Sequence, residues 1–146
     1  MDDLIYTGYG HIASSSEDQK EGWYYVKVDD TIGEYYKWLY SRAFKTWYPC
    51  MNGCHITFIA GEKDDRIVRR EEMNNYFNLN VSFLYSNVIY TNGRAFWIDA
   101  KSDDLDRIRE TIGLRKREKY HITLGNIKNE SQKKIRITKK KKIMII

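Results

Sequence analysis

At 146 residues, with 42% hydrophobic and 31% charged content, the chain is long enough for one domain with a real core, spanning 1–146. No apolar run is long enough to cross a bilayer, and the start MDDLIYTGYG lacks the basic-then-apolar order of a signal peptide. A cytoplasmic protein with no membrane partner is therefore expected. Lys139–Lys142 supply four of the five net positive charges, so the body is nearly neutral and the attraction for phosphate-bearing partners sits in a basic tail, 132–146.

Residues 1–22 are rich in glycine, serine and charge and read as an N-terminal loop segment, with His11 in GYGHIASSS as a structural or incidental histidine. WYYVKV, Trp23–Val28, has the aromatic and β-branched content of a strand. DDTIGEYYKWLYSRAF predicts a helix over 29–44, with Thr31 and Glu34 as a capping box and Ile32, Tyr35, Tyr36, Leu39 and Ala43 at helical spacing. The only proline, Pro49, lies in the loop KTWYPCMNG, which leads into the strand HITFIA. Cys50 and Cys54 in that region lack a second ligand pair, so they read as free thiols and no metal site is expected.

DDRIVRREEMNNYFN predicts a helix over 64–78. VSFLYSNVIY and RAFWIDAK read as two strands of a hairpin turned at Asn92-Gly93. SDDLDRIRETIG is a helix capped by Ser102 or Asp103, striped by Leu105, Ile108 and Ile112 and ended by Gly113. The strand YHITLGN follows, and KIRITKKKKIMII reads as a last strand.

Element order exposes a repeat. Trp23, Lys27, Asp29 and Asp30 match Trp97, Lys101, Asp103 and Asp104 without a gap, and each copy then runs helix, loop and a strand that begins His-Ile-Thr. Two of the chain's three histidines, His55 and His121, open these tripeptides. Along a strand alternate residues share a face, so His55 goes with Thr57 and His121 with Thr123, each opposite an apolar face. Trp23 and Trp97, the anchors of the repeat, are expected in the core.

Two histidines and two threonines facing one phosphate suit acid–base cleavage of a phosphodiester. A neutral imidazole takes the proton of the attacking hydroxyl or water, and a protonated one gives a proton to the leaving oxygen. Threonine hydroxyls donate to the non-bridging oxygens. The spacing does not say which histidine is which.

At these residues the chain resembles the 2H phosphoesterase superfamily, named for two His-x-Thr/Ser signatures, one per lobe. The resemblance implies a bilobal α+β fold with two pseudo-symmetric lobes, antiparallel sheets around a central cleft and helices outside. It also implies phosphodiester chemistry without metal or other cofactor. From Trp23 to Lys128, WYYVKVDDTIGEYYKWL, NVIYTNGRAFWIDAKSDDLDRIRETIGL and YHITLGNIK are similar to the phage anti-CBASS phosphodiesterases. That likeness implies a hydrolase opening 3′-5′ bonds of cyclic di- or trinucleotide messengers of antiphage defence, in the cytoplasm of an infected host. His55, Thr57, His121 and Thr123 match the signatures.

One departure concerns the bases. No aromatic residue follows Tyr120, so stacking has to come from Tyr6 or Tyr9, from Trp47 or Tyr48, or from a second subunit met through the C-terminal segment. Tyr9, between two glycines, is the expected ligand-facing aromatic. Two rival readings stand beside this one: an RNA-processing enzyme acting on 2′,3′-cyclic phosphate ends, and a non-enzymatic nucleotide- or RNA-binding protein using the tail and the aromatics.

Overall fold

The computed structural model describes residues 4, 6–14, 22–39, 48, 53–126 and 141–144. In chain order these form β1 (Tyr6–Ser14), β2 (Trp23–Val28), α1 (Asp30–Leu39), β3 (His55–Ala60), β4 (Asn80–Thr91), β5 (Ala95–Lys101), α2 (Asp103–Thr111), β6 (Tyr120–Asn126) and β7 (Lys141–Met144). Two short 3₁₀ turns, Gly61–Lys63 and Arg70–Met73, lie between β3 and β4. The fold is mixed α+β, and every strand pairing is antiparallel.

The strands run β1-β2-β3-β6-β5-β4, and β4 pairs back onto β1, which closes a six-stranded barrel; β7 adds to the far half of β4. One continuous barrel thus stands where two lobe sheets around a cleft were expected. One face of the ring is closed to solvent on all six strands, through Ile12, Val26, Ile56, Ile122, Ile98 and Phe83, and this is the interior. The other face looks outward.

The two helices lie at opposite mouths of the barrel, and Tyr36 of α1 and Leu105 and Ile108 of α2 join its buried cluster. At one mouth, a Cβ on Gly33 of α1 would collide with Cys54 Sγ, next to the carbonyl of Leu124. The same helix shares a cavity of about 450 Å³ with Tyr6 and Tyr85 of the opposite wall. At the other mouth, Ser102 Oγ donates to the Ser82 carbonyl of β4 at 2.7 Å, and Arg109 Nη1 donates to the Phe58 carbonyl of β3 at 2.7 Å. Tyr120 of β6 donates to Asp106 at 2.6 Å.

Several sequence expectations are met. The 102–113 helix starts at Ser102, whose hydroxyl accepts from Leu105 N–H. It ends in a Schellman pair, Leu114 N–H to Arg109 O and Gly113 N–H to Glu110 O, with Gly113 at φ +86°. The hairpin turns at Gly93, φ +83°, while Asn92 Oδ1 accepts from the amides of Arg94 and Ala95. Ile143 and Met144 pair as a strand, opposite Ile89 and Val88. Residues 40–44 of the first helix and 134–140 and 145–146 of the last strand lie outside the described residues.

Others are corrected. Part of the 1–22 loop is strand β1. Its glycines are there because a Cβ at position 8 would run into the Phe83 ring and one at position 10 into Val26 and the Lys27 carbonyl, both across the crowded interior. The cap of α1 is Asp29, whose carboxylate accepts from Thr31 N–H at 3.0 Å, so the Thr31–Glu34 box does not carry the start. The 64–78 helix is replaced by bends and one 3₁₀ turn. Two of its carboxylates are engaged elsewhere, Asp64 with Arg109 and Asp65 with Arg115, and Arg66 pairs with Glu72 six residues on, a spacing that a helix does not bring together. Its buried residues, Val68 and Met73, are not at helical spacing.

The Arg109–Asp64 pair, 2.7 Å apart with side chains 3% and 6% exposed, ties α2 to the loop after β3. Burial alone would raise the Asp64 carboxyl. Hydrogen bonds from Arg109 and from Ala60 N–H, together with the charges of Arg109 and Arg117, outweigh that and hold it below the ordinary carboxylate range. A depressed carboxyl adds stability above the unfolded-chain value of about pH 4, and that stability is lost as pH falls through the folded value. Arg109→Ala is expected to lower the unfolding free energy by about 3–5 kcal/mol, measured by urea denaturation, because it strands a buried carboxylate. Part of the wild-type loss of stability in acid should disappear in that variant.

Candidate active site

The outward face of the barrel carries a continuous cross-strand row. His11 of β1 faces Lys27 of β2, Lys27 faces His55 of β3, His55 faces Thr123 of β6, Thr123 faces Trp97 of β5, and Trp97 faces Tyr90 of β4. The row starts from Asn80, opposite His11, and returns to β4 at Tyr90, ten residues along, the stagger of a closed barrel with tilted strands. Beside it lies a second row, with Tyr25 facing Thr57 and His121 facing Asp99. The β3–β6 ladder itself pairs His55 with Thr123 and Ile56 with Ile122, and by alternation Thr57 and His121 share the face of the first pair.

All four residues of the doublet therefore meet on one face of one strand pair. Directly opposed side chains have Cβ atoms about 4.5–5.5 Å apart, and diagonal ones such as His55 and His121 stand about 7–8 Å apart. That gap admits a phosphate with an imidazole on either side. His121 is about half exposed, and His55, Thr57 and Thr123 are partly exposed.

The two histidines have matching surroundings. Tyr25 meets the His55 ring edge-on, centroids 5.8 Å apart at 72°. Trp97 meets the His121 ring in the same way, 5.7 Å at 75°. Each aromatic residue also lies opposite a site threonine, Tyr25 opposite Thr57 and Trp97 opposite Thr123. A local two-fold thus relates Tyr25 to Trp97, a shift of two residues from the Trp23–Trp97 match read in the sequence. Register shifts at Tyr24/Tyr25 and at Phe96/Trp97 blur the letter-by-letter alignment. Trp97 is accordingly a wall of the site and not a core residue, and it stacks on Tyr90 at 6.1 Å on its other side. Trp23 is also only partly buried, with Lys63 over its ring at 5.7 Å.

The ring nitrogens differ in their partners. His55 Nδ1 lies 2.8 Å from the Gly53 carbonyl, which can only accept, so this nitrogen is the donor and the neutral ring carries its lone pair on Nε2. His121 Nδ1 lies 3.2 Å from Asp99 Oδ1, a contact that is ionic when the ring is protonated and not an aligned hydrogen bond, since that oxygen makes none. Lys119 Nζ approaches the other Asp99 oxygen at 3.6 Å.

Tyr9 is 68% exposed on the same outward face, but β2 separates it from the histidine strands. Tyr6 has the opposite parity and packs on Tyr85 at 5.4 Å. Tyr48 is bonded through its backbone to Asn126, three residues past Thr123. Trp47 and Cys50 lie outside the described residues. Cys54 is a buried free thiol, pushed up to about 11 by burial and the neighbouring charge of Asp30. Among the described residues no three His, Cys, Asp or Glu side chains are grouped to hold a metal ion, and no helix is long and apolar enough to cross a membrane.

Tyr25, Lys27 and Asp99 were not foreseen as site residues. Their signal was parity: each is an outward-facing strand residue one pairing away from a His-Ile-Thr strand. Comparison with protein-family models, curated proteins and solved structures returned no match.

The two-fold predicts separable effects. Tyr25→Leu should shift the ring resonances of His55 in an NMR spectrum and leave those of His121 in place, and Trp97→Leu should do the reverse. Equal movement of both rings in either variant would contradict the paired arrangement.

Proposed function

We propose that the chain is a metal-independent phosphodiesterase of 2H type that hydrolyses 3′-5′ bonds of cyclic oligonucleotide messengers, and so acts against CBASS defence in the host cytoplasm. The observation that supports this reading most is the β3–β6 register, which pairs His55 with Thr123 and so puts both His-x-Thr pairs on one outward face. A protein that only binds nucleotides has little need of two titratable rings in matching environments.

In this reading a scissile phosphate sits between the two imidazoles, with the Thr57 and Thr123 hydroxyls donating to its non-bridging oxygens. One ring accepts the proton of the attacking hydroxyl, a ribose 2′-OH or water, and the other protonates the leaving oxygen. Two imidazoles near neutral pH supply both functions without a cofactor. Tyr25 and Trp97 offer aromatic surface on either side for bases, with Tyr9 further out. The orders β1-β2-α1-β3 and β4-β5-α2-β6 fit two related half-domains that share a single barrel, and this is how we relate the chain to the bilobal 2H fold.

Incubation with a panel of cyclic di- and trinucleotides in EDTA, followed by mass spectrometry, should give linear products. His55→Ala and His121→Ala should each lose at least a factor of about 10²–10⁴ in rate, the usual contribution of a positioned acid or base. Thr57→Val or Thr123→Val should lose about 10²-fold. An intact panel beside turnover of RNA 2′,3′-cyclic phosphate ends would move the substrate to RNA. Salt-sensitive binding with no turnover of either would leave only a binding protein.

A further inference from the structure

The two-fold that pairs Tyr25–His55 with Trp97–His121 is broken in charge. The residue opposite His55 on β2 is Lys27, and the residue opposite His121 on β5 is Asp99. Both are outward-facing and hold equivalent positions one strand from a histidine. They carry opposite charges.

The burial of the two differs as well. Lys27 is exposed, with its charge in solvent, whereas the Asp99 side chain is only 6% exposed although it belongs to the outward face. Its Oδ1 is sealed from solvent and makes no aligned hydrogen bond. A buried carboxylate oxygen in that condition is costly unless a cation stands beside it. Among the described residues, the groups around His121 come strand by strand. Its own strand offers Thr123, and just before β6 stands Lys119, whose ammonium lies 3.6 Å from Asp99 Oδ2. β5 offers Asp99 with Trp97 and, at its exposed end, Lys101; β3 offers Thr57 and, diagonally, His55. Asp99 is the anion among them, and its Oδ1 is the atom that Nδ1 of His121 approaches, at 3.2 Å.

We propose that Asp99 is a positioning residue that makes the two histidines unequal, holding His121 protonated as the general acid while His55, with Lys27 in the matching place, serves as the base. This rests on the phosphodiesterase reading and deepens it. In the forward step the attacking hydroxyl gives its proton to His55 Nε2 as its oxygen bonds to phosphorus. The bond from phosphorus to the leaving oxygen breaks, and that oxygen takes the proton of His121 Nε2. One proton enters His55 and one leaves His121, and exchange with water restores both. Asp99 neither gives nor takes a proton. It orients the ring with Nε2 toward the phosphate and makes the charged form of His121 the favourable one.

The test follows the imidazole signals by NMR across pH in the wild-type protein and in Asp99→Asn, with thermal melting as the check on folding. In Asp99→Asn the His121 ring should give up its proton about one pH unit lower, while His55 titrates as before. The alkaline limb of the pH–rate profile on the cyclic oligonucleotide that wild type cleaves best should move the same way, and the acid limb should stay. No movement of His121, or equal movement of both rings, would overturn the proposal. Should Asp99→Asn fail to fold, the wild-type spectrum still decides: ¹⁵N shifts must place the proton of neutral His121 on Nδ1, and the Nε2–H tautomer would overturn the proposal. Absence of turnover in wild type would defeat the phosphodiesterase reading and with it the acid and base roles, while the ring titrations test the Asp99–His121 contact separately, without substrate.

Discussion

The pairing of β3 with β6, His55 against Thr123, is the constraint on which the site depends. Antiparallel strands alternate their faces, so a slip of one residue would turn one His-x-Thr pair into the interior and leave its partner outside. The barrel guards against that slip. Every strand is hydrogen-bonded on both sides around the ring, and the opposite face of the same two strands drives Ile56, Phe58, Ile122 and Leu124 into the closed core. Apolar burial on one face therefore fixes the register that aligns the chemistry on the other. The helices serve the same end from the two mouths, where the Asp30 carboxylate accepts from Cys54 N–H, one residue before His55, and Tyr120, one residue before His121, is tied to Asp106.

A repeated element order accounts for much of the rest. Two halves of the same element order contribute one His-Ile-Thr strand each, and the strands meet at the seam. A symmetric pair of histidines would have no internal reason to divide the work of base and acid. The exchange of Lys27 for Asp99 across the local two-fold supplies such a reason in the reading offered above, and it does so with residues that do not need to touch a substrate. The flanking rings of Tyr25 and Trp97 keep the symmetry and hold each imidazole edge-on.

Sequence alone gave access to whatever depended on local chemistry. The Ser102 cap, the Gly113 stop, the Asn92-Gly93 turn and the alternation of His55–Thr57 and His121–Thr123 could all be read from neighbouring letters. The features that escaped depend on long-range packing. β1 was hidden by Gly8 and Gly10, which weaken a strand in isolation and are needed because Phe83 and Val26 fill the space beside them. The apparent helix at 64–78 dissolved because its charges are bound by Arg109 and Arg115 of a distant segment. Trp97 looked like a core anchor, but it alternates with the buried Phe96 and Ile98, and its ring meets that of His121. Asp99 lies in a strand that reads as apolar, and only the β5–β6 register brings it to a histidine 22 residues away.

The most direct measurement would titrate the protein with a phosphorothioate cyclic dinucleotide, resistant to cleavage, and follow the ring signals of His55, His121 and His11 by NMR. If the β3–β6 seam holds the scissile phosphate, His55 and His121 shift together with one dissociation constant, and His11, two strands from His55, moves little. Movement of only one of the pair, or binding that leaves both unmoved, would contradict a shared two-histidine site.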